Sequence, residues 1–109
     1  MPTGHYLHIY EGMNVVKMTK KAEEVSGLLK ILSHSKRLLI LCQLVDQERS
    51  VGELAAQLGM REAAVSQQLA LLRKDRLVKT RRDGQTIFYS LARADLKSLI
   101  GFLYGTYCK

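Results

Sequence analysis

The spacing of apolar residues predicts that the first half of the chain is helical. The first helix starts near Thr19, and one of its faces carries apolar residues at intervals of three and four: Ala22, Val25, Leu28, Leu29 and Leu32. Residues 38–45 are almost entirely apolar, and their leucine-rich composition and capped start favour a buried second helix over a strand. The residues before the first helix show no sustained period of apolar positions. We therefore expect a flexible extension at 1–17 and a folded domain at 18–109.

Two short helices joined by a tight turn are predicted in the middle of the chain. Ser50 and Glu53 match a capping box, in which each side chain accepts a hydrogen bond from the backbone amide of the other residue. A helix should therefore start at Val51. Gly59 can adopt the left-handed conformation that ends helices. The next helix carries an apolar inner face made of Val65, Leu69 and Leu72. This pattern is typical of a helix-turn-helix, whose second helix, the recognition helix, binds in the major groove of DNA.

Beyond residue 75 the pattern changes to the alternation of a strand. Residues 77–82 and 85–91 are rich in β-forming side chains and flank Asp83 and Gly84, a pair that favours a two-residue hairpin turn with positive φ at both positions. A last helix carries one apolar stripe: Leu96, Leu99, Ile100, Leu103 and Tyr107. The order of elements predicts a mainly α fold with a β-hairpin wing, that is, a winged helix-turn-helix.

Charge adds a candidate partner to this fold. The 109-residue chain has a formal net charge of +7, and residues 61–85 hold 7 basic against 3 acidic residues. A concentrated basic segment indicates a polyanion such as nucleic acid, although a solvated face would give the same count. The chain shows no 18-residue apolar stretch and no secretion signal, so we expect no membrane partner and a cytoplasmic location.

Candidate DNA contacts follow from the predicted inner face of the recognition helix. Small and amide-bearing residues that can approach and hydrogen-bond base edges should face outward: Ala63, Ser66, Gln67 and Ala70, with Gln68 beside them. Flanking and wing residues should contact phosphates or the minor groove: Arg61, Arg73, Lys74, Arg81, Arg82 and Gln85. The alternative is an ordinary polar helix beside a charged hairpin. One recognition helix reads few bases, so we expect a homodimer formed by the first and last helices on double-stranded DNA.

Cysteines and histidines are the remaining candidates for chemistry. Cys42 and Cys108 lie 66 residues apart, which is not the spacing of a structural zinc site, and by spacing alone they are two unrelated small apolar residues. His5 and His8 have the i, i+3 spacing of neighbours on a helix, but they lie in the predicted extension. We therefore favour the interpretation that they do not bind a metal. His34 most simply belongs to the turn before the second helix. We therefore predict no metal and no cofactor.

Four segments together resemble the ArsR-type winged-helix repressors: LLKILSHSKRLLILCQL, SVGELAAQL, VSQQLALLRKDRLV and TRRDGQTIFYSL. The resemblance implies a DNA-binding repressor and not an enzyme. The chain departs from the family pattern at Ser35, where proline is usual, and at Gln68, where histidine is common. Neither metal site of the family is complete, because Val51, Gly52 and Glu53 stand where a Cys-x-Cys pair is needed and no histidine follows Asp95.

Within this family, Cys42 and Cys108 resemble the cysteine pair of the subgroup that includes BigR, SqrR and HlyU. The resemblance implies that both thiols meet in one subunit and become linked by a disulfide or a bridge of several sulfurs, in response to reactive sulfur species or oxidants. Tyr104 then lines the sulfur pocket or forms part of an interface. The expected function is a repressor that releases its operator when the thiols are linked. A metal-responsive repressor with unrecognised ligands and, less favoured, a thiol enzyme are the alternatives.

Overall fold

The computed structural model describes residues 14–108, which form five helices and a three-stranded antiparallel sheet. The helices are α1 (Val15–Leu32), α2 (Ser35–Gln43), α3 (Val51–Leu58), α4 (Glu62–Lys74) and α5 (Ala94–Tyr107). The strands are β1 (Arg49–Ser50), β2 (Val78–Asp83) and β3 (Thr86–Leu91). The predicted mainly α architecture with a β-hairpin wing is confirmed. Among these helices, none is long and apolar enough to cross a membrane.

Helix α1 is a compact unit of its own, and it begins earlier than the apolar spacing predicted. The Asn14 side-chain oxygen accepts hydrogen bonds from the backbone amides of Val16 (2.9 Å) and Lys17 (3.2 Å), and so caps the helix. The predicted start near Thr19 is therefore wrong, because this first turn is set by a cap and not by an apolar face. The predicted boundary between residues 17 and 18 falls inside α1. The rest of the predicted extension, with His5 and His8, lies outside the described residues.

The second unit, residues 34–108, has a core made by one face of each of its helices and by the start of β2. Its largest fully buried side chains are Ile40, Leu41, Leu54, Val65, Leu69, Leu72, Leu77, Leu96 and Ile100. Each contributes roughly 1.5–3 kcal/mol of transfer free energy. The predicted inner face of α4, at Val65, Leu69 and Leu72, is confirmed. Helix α2 begins after His34, whose side chain makes no capping bond, so the capped start predicted for this helix is wrong.

The helix-turn-helix is built from local signals that the sequence displays. The Ser50 hydroxyl oxygen accepts a hydrogen bond from the Glu53 amide (3.2 Å), and the Glu53 carboxylate accepts one from the Ser50 amide (2.9 Å). Gly59 ends α3 with a φ of 62°, in the left-handed region. The capping box and the glycine stop are both confirmed, and together they fix the short connection to α4.

Removing the capping hydroxyl should lower stability without altering the fold. We expect Ser50→Ala to reduce the free energy of unfolding by about 1 kcal/mol, because the Glu53 amide loses its acceptor. Urea unfolding followed by circular dichroism measures this change. Ser98→Ala, at an exposed position inside α5, is the matched control and should change stability by less than about 0.5 kcal/mol. Equal effects in the two variants would show that the cap contributes nothing.

The sheet has the strand order β1-β3-β2, and β2 and β3 form the wing. Asp83 is the register partner of Thr86, so the loop residues are Gly84 and Gln85, one position later than the predicted Asp83 and Gly84. Only the glycine, with a φ of 63°, lies in the left-handed region. The predicted turn is wrong because β2 continues through Asp83 and positive φ is needed only at the first loop position. The two-residue strand β1 was not predicted.

Candidate DNA interface and thiol pocket

The outward side of α4 carries the residues predicted to read bases. The side chains of Ala63, Ser66, Gln67 and Ala70 are all exposed. Gln68 is half-buried, and its side-chain oxygen is enclosed with no hydrogen-bond partner among the described residues. The exposed face is thus small and polar, which suits close approach to a groove.

Basic residues stand at both ends of this exposed face. Arg61 occupies the N-cap position of α4, and Arg73 and Lys74 lie in its last turn, where positive charge also complements the helix dipole. All three side chains are exposed. They therefore flank the candidate base-reading surface.

The wing and the recognition helix share one groove. This groove of about 390 Å³ is lined by Ser66 from α4, by Gln85 and Thr86 from the wing tip, and by Tyr89 from β3. The beginning of α3 closes its remaining side. Arg82 is exposed on the adjoining strand. The fold thus brings Ser66 and Gln85 together although 18 residues separate them in the chain.

Arg81, predicted as a wing contact, is engaged within the protein. Its Nε donates to both carboxylate oxygens of Glu48 (3.0 and 3.1 Å), and its Nη2 donates to the same carboxylate. The guanidinium also lies over the Phe88 ring, 4.9 Å from the centroid. The hydrogen bonds from Arg81 hold the pKa of Glu48 below its usual range. Sequence reasoning missed Glu48, because no local pattern links residues 33 positions apart.

The two cysteines lie on one pocket of the second unit. Helix α2 packs against α5, and the pocket between them, of about 290 Å³, is lined by Leu38, Cys42, Leu103, Tyr104, Tyr107 and Cys108. Both thiols are free; Cys42 is half-buried and Cys108 is exposed. The pocket walls are almost entirely apolar apart from the thiols and the tyrosine hydroxyls.

The environment of Cys42 affects its ionisation. Burial raises the pKa of the Cys42 thiol, and the nearby charge of a Cys108 thiolate raises it further. At neutral pH the Cys42 thiolate is therefore scarcer than that of an ordinary cysteine. Since the thiolate is the nucleophile, the exposed Cys108 is the better placed of the two to react first.

The residues at the family's metal positions have other partners. Glu53 belongs to the capping box, and the Asp95 carboxylate accepts hydrogen bonds from Arg93 and from the Leu96 amide. Over residues 14–108, no group of three or more His, Cys, Asp or Glu side chains is placed to hold a metal ion.

Large apolar side chains remain exposed on the first and last helices. On α1 they are Val15, Val16, Met18, Val25 and Leu29, and on α5 they are Phe102, Tyr104 and Tyr107. Tyr107 is 78% exposed although it lies on the predicted apolar stripe. Exposed apolar side chains grouped on a helix indicate a candidate protein interface.

Comparison with known proteins identifies the family. Residues 34–80 match the model described as "Bacterial regulatory protein, arsR family". The chain is 44% identical over 97 residues to the transcriptional activator HlyU of Vibrio cholerae, covering 89% of this chain and 90% of that protein. It is 47% identical over 91 residues to the biofilm growth-associated repressor of Xylella fastidiosa, covering 84% and 80%. The chain belongs to the ArsR family. Its function is accordingly that of a DNA-binding transcriptional regulator, not of an enzyme.

Solved structures of ArsR-type proteins agree with this fold. The structure titled reduced HlyU from Vibrio cholerae superposes with a TM-score of 0.81 at 44% identity, covering 85% of this chain and 98% of that one. The homodimeric winged helix-turn-helix domain of Mb0332 from Mycobacterium bovis, a possible ArsR-family regulator, gives a TM-score of 0.70 at 29% identity, covering 87% of each chain.

Proposed function

We propose that this ArsR-family protein is a homodimeric cytoplasmic repressor that releases its operator when Cys42 and Cys108 are linked by a disulfide or a polysulfide. The observation that carries the proposal is the shared apolar pocket, to which two cysteines 66 residues apart both contribute. Two unrelated cysteines would not be expected to line the same pocket between two packed helices.

The DNA contacts in this proposal follow from exposure and charge. Ala63, Ser66 and Gln67 face the major groove, with Gln68 at the edge of the reading surface. Arg61, Arg73 and Lys74 bind phosphates on either side. The wing, with Arg82 and Gln85, meets the DNA beside this groove.

The thiol chemistry starts at Cys108 with a low-molecular-weight persulfide, RSSH. The Cys108 thiolate attacks the outer sulfur, RSH leaves, and Cys108 becomes a persulfide. The Cys42 thiolate then attacks the inner sulfur and expels hydrogen sulfide, which leaves a disulfide. Overall, two protein thiols and RSSH give the disulfide, RSH and H₂S, so the thiols are oxidised and the sulfane sulfur is reduced. Further RSSH adds one bridging sulfur and releases one RSH each time.

The separation of the two cysteines decides the length of the bridge. A direct disulfide requires α-carbons about 4.4–6.8 Å apart, so a rigid gap that is wider favours a longer bridge. The pocket, at about 290 Å³, is much larger than the roughly 10–15 Å³ that one water molecule needs. It therefore has room for additional sulfur atoms between the helices.

The link acts on DNA binding through the dimer. It joins α2 to α5 covalently. The exposed aromatic residues of α5 and the exposed apolar residues of α1 form the proposed dimer interface. A change at this interface alters the separation of the two recognition helices on a palindromic operator. A coupling free energy of about 1–3 kcal/mol is enough for an effective switch. The homodimeric Mb0332 domain supports the proposed dimer, and the redox state named for the HlyU structure supports a role for thiol oxidation.

Intact-protein mass spectrometry paired with operator binding tests the proposal. A duplex selected by the reduced protein from random DNA serves as the operator. After persulfide treatment we expect an intrasubunit crosslink, seen as loss of two hydrogens with or without added sulfur, and a matching loss of operator binding that a reductant restores. Crosslinked protein that still binds the operator would contradict the proposal, as would persulfide treatment that yields no crosslink.

A further inference from the structure

Arg81 and Arg82 are neighbours on β2, and they face opposite sides of the wing because side chains alternate along a strand. Within residues 14–108 the exposed Arg82 side chain has no hydrogen-bond or ion-pair partner, whereas Arg81 reaches Glu48 and covers Phe88. The two arginines, which the sequence presents as an equivalent pair, therefore stand in different chemical environments.

The Glu48–Arg81 contact spans the width of the sheet. Phe88 on β3 is the register partner of Arg81 on one side and of Ser50 on the other. Glu48 comes just before β1, so the Arg81 side chain crosses the central strand over the Phe88 ring to reach it. The ion pair thus connects the outer strand of the wing to the segment that leads into β1.

That segment is itself held in place. The Arg49 side chain donates from Nε to the Gln43 carbonyl oxygen at the end of α2 (3.0 Å), and the Arg49 backbone pairs with Tyr89 in the sheet. The Glu48 carboxylate therefore lies on an anchored segment. Because a bidentate contact fixes the orientation of the guanidinium relative to the carboxylate, it also fixes the position of the Arg81 side chain. A partner of this kind restricts how far the hairpin can swing.

We propose that the Glu48–Arg81 ion pair positions the wing for DNA binding, and that Arg81 acts through this pair and not as a phosphate ligand. The pair holds the β2–β3 hairpin so that Arg82 and Gln85 meet the DNA together with α4. Arg81 is a positioning residue, and Arg82 is the phosphate-binding arginine of the wing. The inference rests on the wing contacts of the proposed function and is independent of the thiol chemistry.

Variants with matched net charge separate the two roles of Arg81. Glu48→Gln combined with Arg81→Gln removes the ion pair without changing net charge, and Glu48→Arg combined with Arg81→Glu rebuilds it in reverse. We expect the double glutamine variant to weaken operator binding about two- to fivefold, the size typical of an exposed ion pair, with an unchanged salt dependence. The reversed pair should recover affinity to within about twofold of the wild type. Fluorescence anisotropy over a series of salt concentrations measures both quantities.

Arg82→Gln is the control for a true phosphate contact and should reduce the slope of log affinity against log salt by about 0.9. If the double glutamine variant also loses about one unit of slope, or the reversed pair binds more weakly still, Arg81 is a phosphate ligand and the inference is wrong. Wild-type affinity in the double glutamine variant would also overturn it. If Arg82→Gln leaves the slope unchanged, the proposed wing contacts fail, and the inference fails with them. Thermal unfolding of each variant confirms that all are folded.

Discussion

Cys108→Ser is expected to abolish the release of operator DNA by a persulfide and to leave the operator affinity of the reduced protein unchanged. The substitution removes the exposed thiol that we propose to start the reaction, and the remaining Cys42 has no partner to link with. The serine hydroxyl is nearly isosteric, so the exposed end of α5 should keep its fold. Anisotropy titrations with and without persulfide measure the response as the ratio of the two affinities.

The complementary variant separates the first step from the second. In Cys42→Ser, Cys108 should still gain sulfur, and intact mass should show a persulfide without a crosslink, again with no release of DNA. Thr106→Ala, in the last turn of α5 but outside the pocket lining, is the matched control and should respond as the wild type does. Persulfide-induced release in either cysteine variant would show that the link between the thiols is not the switch.

The pH dependence of thiol labelling tests the raised pKa of Cys42, on which the proposed order of attack rests. Because burial raises the pKa of Cys42, its thiolate fraction at neutral pH is low and grows as the pH rises through the raised value. In Cys108→Ser, the alkylation rate of Cys42 should therefore keep increasing above the pH at which an ordinary cysteine levels off. A rate that levels off at the ordinary thiol pKa would contradict the effect of burial.

Local signals in the sequence account for most of the fold. The capping box at Ser50 and Glu53, the stop at Gly59 and the inner face of α4 depend on residues a few positions apart, and each was predictable. The start of α1 was missed because Asn14 caps a turn whose Val15 and Val16 are exposed, so no apolar period marks it. The wing turn was displaced by one residue because pairing across the sheet decides where β2 ends.

The sites that depend on distant residues were less accessible to sequence reasoning. Spacing alone left Cys42 and Cys108 as unrelated residues, and only the family resemblance implied their pairing; the shared pocket arises from the packing of α2 on α5. The ion pair of Glu48 with Arg81 had no signal in the chain at all, because it depends on the register of three strands. Long-range packing decides both features.

Gln67→Ala is expected to weaken binding to the selected operator about 5- to 150-fold, with little change on unrelated DNA. Gln67 is exposed on the outer face of α4, and a glutamine that binds adenine at two points provides about 1–3 kcal/mol of discrimination. The side chain is uncharged, so the salt dependence should stay the same, unlike that of Arg82→Gln. Parallel titrations on the operator and on a scrambled duplex measure the ratio.

The control for this prediction is Gln57→Ala, which removes an exposed glutamine from α3, the first helix of the helix-turn-helix. This helix crosses the DNA backbone in the fold's usual docking and does not enter the groove, so operator preference should persist. If Gln67→Ala weakens both duplexes equally, the residue stabilises the complex without reading sequence. Among the predicted base-reading positions, discrimination would then come from Ser66, from the half-buried Gln68, or from the shape of the operator itself, because Ala63 and Ala70 carry no hydrogen-bonding side chain.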